Sequence, residues 1–435
     1  MPSRLLAIRE AQRAGVAQAI CSVCSAHPMV LRAALAEAGA RNAPLLVEAT
    51  CNQVNQFGGY TGLAPADFMA FIQGLAREAG FPASGLILGG DHLGPNPWRH
   101  EPAAVALAKA GDLVEAFVRA GFRKLHLDAS MACAGEPPLA DTVIAERAAQ
   151  LCARAERAFQ EAPQGQPPVY VIGTEVPPPG GATGPEQTLR PTAADALLRT
   201  LDISRDAFAR EGQLPAWDRV LAVVVQPGVE FGDASVHPYD RAAARELTRA
   251  ILDQAPYIFE AHSTDYQTPR ALRELVQDRC AILKVGPWLT FACREALFAL
   301  EDLARELHLA DPARPLPRLR AALDAAMERN PEHWRGHYRG SEGEVSMARR
   351  YSFSDRSRYY WHDPEVAAAV AELLAATRGP LPPQLLSQFL PNALEAVWAG
   401  ELEPDGSAIV LHAVRRVLGH YASACDPTHH PEVTP

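Results

Sequence analysis

The sequence predicts a (β/α)8 barrel, a TIM barrel, followed by a mostly helical C-terminal extension. Three observations lead there. Short apolar runs rich in β-branched residues alternate with longer Ala/Leu/Arg/Glu segments of helical period. Eight such pairs occupy roughly 300 residues, the span such a barrel requires. Nearly every apolar run ends in polar groups, which a closed barrel gathers at one mouth. An open doubly wound sheet, the alternative architecture, spreads them along an edge.

Regular alternation of strand and helix means parallel strands joined by crossovers. The predicted strands are "GVAQAICSV" from about residue 15, "APLLVEAT" from 43, "GLILGGDH" from 85 and "KLHLDAS" from 124. Then come "PVYVIGTEV" from 168, "RVLAVVVQPG" from 219, "YIFEAHS" from 257 and "CAILKVGPW" from 280. Helical segments such as "HPMVLRAALAEAG" and "AVALAKAGDLVEAFVRAG" lie between them. Pro28 marks a helix start, and Gly80 and Gly121 mark helix stops. Beyond residue 308 no strand is evident, and "LPRLRAALDAAMERNPEHW", "PEVAAAVAELLAATRG" and "SAIVLHAVRRVLGHYASAC" read as helices. The expected organisation is a catalytic barrel over 1–308, a helical extension packed on it over 309–425, and a flexible tail over 426–435. Within the extension, residues 348–363, "ARRYSFSDRSRYYWHD", carry four arginines among aromatics. They read as a cationic lid or phosphate clamp over the mouth, or else as an interface or solvated loop.

Bulk properties exclude several classes. The 435 residues exceed a single minimal core and suit a barrel with an appendage. A net charge of −10 gives no polyanion-binding footprint, so nucleic acid is disfavoured as a partner. No apolar run approaches the roughly 20 residues of a membrane span. The opening segment "MPSRLLAIREAQRAG" carries charges where a secretory leader needs an apolar core. With eight scattered cysteines, reduced thiols in a cytoplasm are the expectation. Cys21 and Cys24 have CxxC spacing without a second pair, so they read as small residues on a buried strand rather than a zinc site.

The strand ends carry the chemistry. The third ends in Asp91-His92, the fourth in Asp128, the fifth in Glu175 and the seventh in His262, while the sixth leads to Glu230. Imidazoles and carboxylates suit a divalent metal, and the candidate ligands are His92, Glu175, Glu230 and His262. Each can instead be a paired structural group. Zinc leads as the ion, with manganese, nickel or cobalt as alternatives. Asp91, beside a ligand, is placed to move a proton, with Asp128 or Glu175 assisting. Ser25, Glu48, Asn52, Gln53, Gln226, Ser263, Asp265, Gly286, Arg356 and Arg358 are the expected substrate- or phosphate-binding residues. No G-x-x-x-x-G-K-[ST] loop, G-x-G-x-x-G turn or G-x-S-x-G elbow is present where nucleotide or acyl chemistry needs one. Lys284 could form a Schiff base, but nothing around it marks it for that role.

The strings "SVCSAHPMV", "VEATCNQVNQFGGYTG", "ILGGDHLGPNPW", "KLHLDASM", "GTEVPPPGG", "FEAHSTDYQT", "LKVGPWLTFA" and "RRYSFSDRSRYYW" resemble the tagatose-bisphosphate aldolase GatZ/KbaZ-type family. The resemblance runs from about residue 16 to 425. It implies a TIM barrel distantly related to class II, metal-dependent aldolases. Members are described either as non-catalytic subunits supporting a separate aldolase chain or as 4-epimerases of ketohexoses, their 6-phosphates or hexuronates. An older kinase label sits poorly with the missing nucleotide loop. By this resemblance Asp91-His92 match the aldolase pair, Asp91 transferring the proton at the C4 oxygen and His92 binding metal. His262-Ser263-Thr264 match a metal-binding His followed by small phosphate-binding residues. Where an aldolase offers a histidine after strand 6, "QPGVEFGDASVHP" offers Glu230 or His237, with Glu230 preferred. The expected activity is ketohexose 4-epimerisation by retro-aldol cleavage and re-formation of C3–C4. The alternative is a stabilising subunit of a tagatose-bisphosphate aldolase. The expected partners are a ketohexose or its phosphate, and a second copy or an aldolase chain.

Overall fold

The computed structural model describes residues 4–173, 189–254 and 256–429. Eight parallel strands close a barrel: β1 (Ile20–Val23), β2 (Leu45–Thr50), β3 (Leu86–Leu93), β4 (Lys124–Leu127), β5 (Val169–Ile172), β6 (Val220–Val225), β7 (Ile258–Ala261) and β8 (Cys280–Val285). Each pairs with its sequence neighbours, and β1 pairs with β8 to close the ring. Strands covered on both faces read as near-continuous apolar runs, and "VLAVVV" of β6 is buried throughout. Seven of the eight begin within two residues of their predicted starts. The exception is β1, which begins at Ile20 because 15–19 are connecting chain from a helix, Arg4–Arg13, that the sequence reading passed over. That helix covers the far end of the barrel, where Arg9 donates to the carbonyl of Val220 (3.1 Å) and Gln12 to that of Val276 (3.2 Å).

After β6 the chain makes a short antiparallel ribbon, pairing Glu230 with His237 and Phe231 with Val236. The residues after 308 are helical among those described, as expected, but the last helix, Gly406–Cys425, is part of the barrel wall. It packs against β1 and the helices Pro28–Ala40 and Pro269–Gln277. The helix directly after β8, Pro287–Ala310, lies against its outer side. The eighth outer position is therefore filled from the C-terminus. Among the bonds that fasten it, Ala19 N–H donates to the Cys425 carbonyl (3.1 Å), Tyr421 Oη to the Thr264 carbonyl (2.7 Å) and Arg415 Nε to Glu37 (3.0 Å).

The arginine-rich segment is not a solvated loop. Glu342–Tyr351 is helical, a short 3-10 turn covers Arg356–Tyr359, and Ser352, Ser354, Asp355, Arg356 and Ser357 are buried. Asp233, beyond the ribbon's first strand, latches it by accepting from Ser352 Oγ (2.9 Å), Ser354 Oγ (2.8 Å) and Phe353 N (2.9 Å). Among the described residues no helix is long and apolar enough to cross a membrane.

Candidate functional site

The site grows out of the end of β3. Gly89 lies opposite Glu48 of β2, and a Cβ on it would stand 2.8 Å from Glu48 Cγ. A Cβ on Gly94 would meet the Asp128 carbonyl oxygen at 1.7 Å, so only glycine lets the chain pass β4 there. Between them the β3–β4 register shifts, and His92 takes a left-handed φ of 46°. A non-glycine residue in that region is held by its surroundings, and such residues cluster at functional sites.

Three imidazoles converge on Asp91. The rings of His92, His126 and His262 lie 4.8, 4.9 and 5.3 Å apart between centroids. One donor atom from each ring and one from Asp91 all fall within 4.8 Å of one another, and all four residues are buried. Each ring has its other nitrogen engaged: His92 Nδ1 on Asp128 (2.7 Å), His126 Nε2 on the Gly173 carbonyl (3.1 Å), and His262 Nε2 on Glu260 (2.9 Å). Such partners fix ring orientation and tautomer for metal ligation. Burial drives the His262 pKa down to about 3, assisted by Lys284, so its ring is neutral. His92 is opposed by burial, yet Asp91 and Asp128 raise its pKa. Burial would lift the Asp91 pKa, but His92 and Lys284 override it and hold the carboxyl well below its usual range.

Beneath lies a dry ionic floor. Lys124 Nζ contacts Glu48 (2.7 Å) and Glu260 (2.5 Å) with no side-chain exposure on any of the three. Lys284 pairs with Asp91 and stands 3.6 Å from Glu48 and 3.5 Å from Glu260. Burial opposes its charge, but these carboxylates keep its pKa well above the usual value, so the amine is not free for Schiff-base chemistry. Asp91, Glu48 and Glu260 thus face two ammonium groups, and Asp128 adds a fourth carboxylate behind His92. Excess buried charge is costly unless compensated, and a divalent cation among the imidazoles balances this set. Three imidazoles are donors that fit such an ion.

Two cavities open above the cluster. The lower, of about 100 Å³, is bordered by Asp91, His92, His262, Ser263, Asp265 and Lys284, and also by Asn52, Gln53 and Tyr60. The upper, of about 310 Å³, is bordered by Ser25, His27, Thr61, Trp361 and His362. Cys24, Gln53, Tyr60, Gly286 and Arg358 border both. Together they reach the size of small-molecule sites, about 300–1,000 Å³.

Of the ligands expected from sequence, His92 and His262 lie in the converging set. Glu230 is buried outside that set, with Oε2 unpartnered among the described residues, and burial pushes its pKa up to about 7. Glu175 lies outside the described residues. Asp128 reaches the cluster through His92. Among the expected binding residues, Ser25, Asn52, Gln53, Ser263, Asp265, Gly286 and Arg358 border a cavity. Glu48 sits in the floor, where Ser22 Oγ also donates to it (2.6 Å). Gln226 accepts from Gly228 N (2.8 Å) and Val229 N (2.9 Å), closing a turn. Arg356 donates to the His333 carbonyl (2.8 Å) and borders neither cavity.

His126, Lys124 and Glu260 escaped the sequence reading, which looked only at strand ends. The signal was strand alternation: Lys124, His126 and Asp128 share one face of β4, and Glu260 and His262 one face of β7.

A D-tagatose 6-phosphate 4-epimerase of Agrobacterium fabrum is 52% identical to this chain over 424 residues, covering 97% of this chain and 98% of that protein. A crystal structure described as a probable tagatose 6 phosphate kinase from Sinorhizobium meliloti 1021 superposes with a TM-score of 0.86 at 48% identity. It covers 94% of this chain and 100% of that one. The sequence model of the D-tagatose-1,6-bisphosphate aldolase subunit GatZ/KbaZ-like family matches residues 5–426. With that match across nearly its whole length, and a barrel whose mouth gathers the Asp-His pair, the chain belongs to the GatZ/KbaZ-like family.

Proposed function

We propose that this chain is a metal-dependent ketohexose 4-epimerase, interconverting D-tagatose and D-fructose as the 6-phosphates or the free sugars. The observation that carries the reading is the Asp91 carboxylate set against three buried imidazoles at the cavity floor. The relative's name agrees, and the sequence contains no nucleotide loop to favour the kinase description.

His92, His126 and His262 are the residues that would hold the ion, and zinc is the ion proposed, ahead of manganese, nickel or cobalt. Bound there, a divalent cation supplies Lewis-acid polarisation of the ketose carbonyl. The C4 hydrogen is not adjacent to the C2 carbonyl, so direct deprotonation at C4 is unfavourable. Asp91 instead removes the C4 hydroxyl proton. The C3–C4 bond then breaks, leaving an enediolate of C1–C3 and an aldehyde of C4–C6. The cavity retains both fragments while the aldehyde presents its other face. The C3–C4 bond re-forms, and Asp91 returns the proton to the inverted C4 oxygen. Asp128 orients His92 through its 2.7 Å bond.

Metal-loaded protein given D-tagatose 6-phosphate is expected to form D-fructose 6-phosphate without accumulating triose phosphate. Asp91→Asn is expected to lower turnover about 10²- to 10⁴-fold while elemental analysis finds the metal retained. Trioses from D-tagatose 1,6-bisphosphate would mark an aldolase. Folded, metal-loaded protein that turns over no ketose and only activates a separate aldolase chain would mark a stabilising subunit.

A further inference from the structure

We infer that Arg358 binds the single phosphate of a ketohexose monophosphate where the two cavities meet. The identity of the sugar rests on the epimerase reading above; the anion site stands on its own observations.

Arg358 borders both cavities. Its guanidinium is gripped by neutral acceptors: Nη1 donates to the carbonyls of Ser354 and Asp355 (3.2 Å to the latter), and Nη2 to Tyr359 Oη (2.8 Å). No carboxylate among the described residues stands within ion-pair distance of it. An arginine has five N–H donors, so donors remain for an anion. The segment is rigid where it presents this side chain. Asp355, at a left-handed φ of 42°, is pinned by Arg294 Nε (2.9 Å), Thr290 Oγ1 (2.5 Å) and Ser357 Oγ (2.9 Å). A preorganised cation with no carboxylate in ion-pair contact at a cavity wall is a phosphate-binding arrangement.

Three other candidate seats for an anion in these cavities are already taken. Lys284 is paired with Asp91. The start of the helix Pro287–Ala310, a common phosphate seat in such barrels, is filled by Asp265, whose Oδ1 accepts from Gly286 N (3.1 Å) and Trp288 N (2.8 Å). His27 accepts from Met29 N (3.2 Å), and burial lowers its pKa to about 4. One phosphate therefore finds a partner. A second, near Asp91 and Asp265, meets carboxylates instead.

The test compares D-tagatose, its 6-phosphate and its 1,6-bisphosphate as substrates for the wild type, Arg358→Met and Arg358→Lys. Arg358→Met is expected to raise KM for the 6-phosphate about 10- to 100-fold and to lower kcat/KM for the free sugar by a clearly smaller factor. Arg358→Lys should recover part of the loss. Inorganic phosphate should raise the melting temperature of the wild type and not that of Arg358→Met. An equal loss on sugar and sugar phosphate, an unchanged phosphate shift in Arg358→Met, or a bisphosphate used as well as the monophosphate would each overturn the assignment. If the wild type turns over no ketose, the epimerase reading falls, and the phosphate-shift comparison alone decides Arg358.

Discussion

Asp265 shows how a single residue serves the site at a cost to the fold. It caps a helix, yet burial outweighs the two backbone N–H bonds and pushes its pKa up to about 6. An unfolded aspartate titrates near 3.9. Between these values the folded chain keeps a proton that the unfolded chain has lost, so stability falls as pH rises through that window. Asp265→Asn retains an acceptor oxygen for Gly286 and Trp288 and removes the charge. In metal-free protein it is expected to exceed the wild type by about 3 kcal/mol at pH 8 and to match it below pH 4. Urea unfolding at the two pH values checks this. Asp91, His92 and His262 were legible at this scale because adjacent or near-adjacent polar residues end apolar runs. His126 lies inside its strand, where only the alternation with Lys124 and Asp128 marks its face and nothing local marks it as a ligand.

Parallel strands wrapped on both faces announce themselves as apolar runs, so seven of eight strand starts were readable to within two residues. The location of the helix Gly406–Cys425 was not readable. Its buried residues, among them Ile409, Val410, Val414 and Tyr421, mark an apolar face, and such a face says nothing about which surface covers it. Its place beside β1 depends on contacts made across almost the whole chain. Tyr421→Phe removes the hydroxyl that joins Thr264, and Thr264 Oγ1 in turn donates to the Lys284 carbonyl (2.6 Å). The expected cost is about 1–2 kcal/mol, read from denaturant unfolding with the m-value unchanged.

At the scale of the molecule, the barrel interior departs from the layers of branched apolar side chains usual in this fold. Lys124, Glu48, Glu260 and Lys284 fill it with ion pairs, and Asp91 and Asp128 leave it with excess negative charge. A ligand that binds only the folded state stabilises it by mass action. Chelation is therefore expected to lower the melting temperature by several degrees, and a divalent ion added back at about 100 times its Kd should restore roughly 2.7 kcal/mol. Calorimetry with and without chelator checks this, and far-UV circular dichroism should show that the stripped protein keeps its secondary structure.

The sequence by itself determined the barrel, its helical continuation and the Asp91-His92 pair, because period, strand length and polar strand ends are local properties. Tertiary structure decided which side chains meet. Barrel closure brought His126 and His262 onto Asp91, buried Glu48 with Lys124 rather than leaving it in the cavity, and placed Arg358 at the cavity wall while Arg356, two residues away, turned to a backbone carbonyl. Those outcomes depend on strand stagger and on the latching of distant segments, which no local pattern encodes.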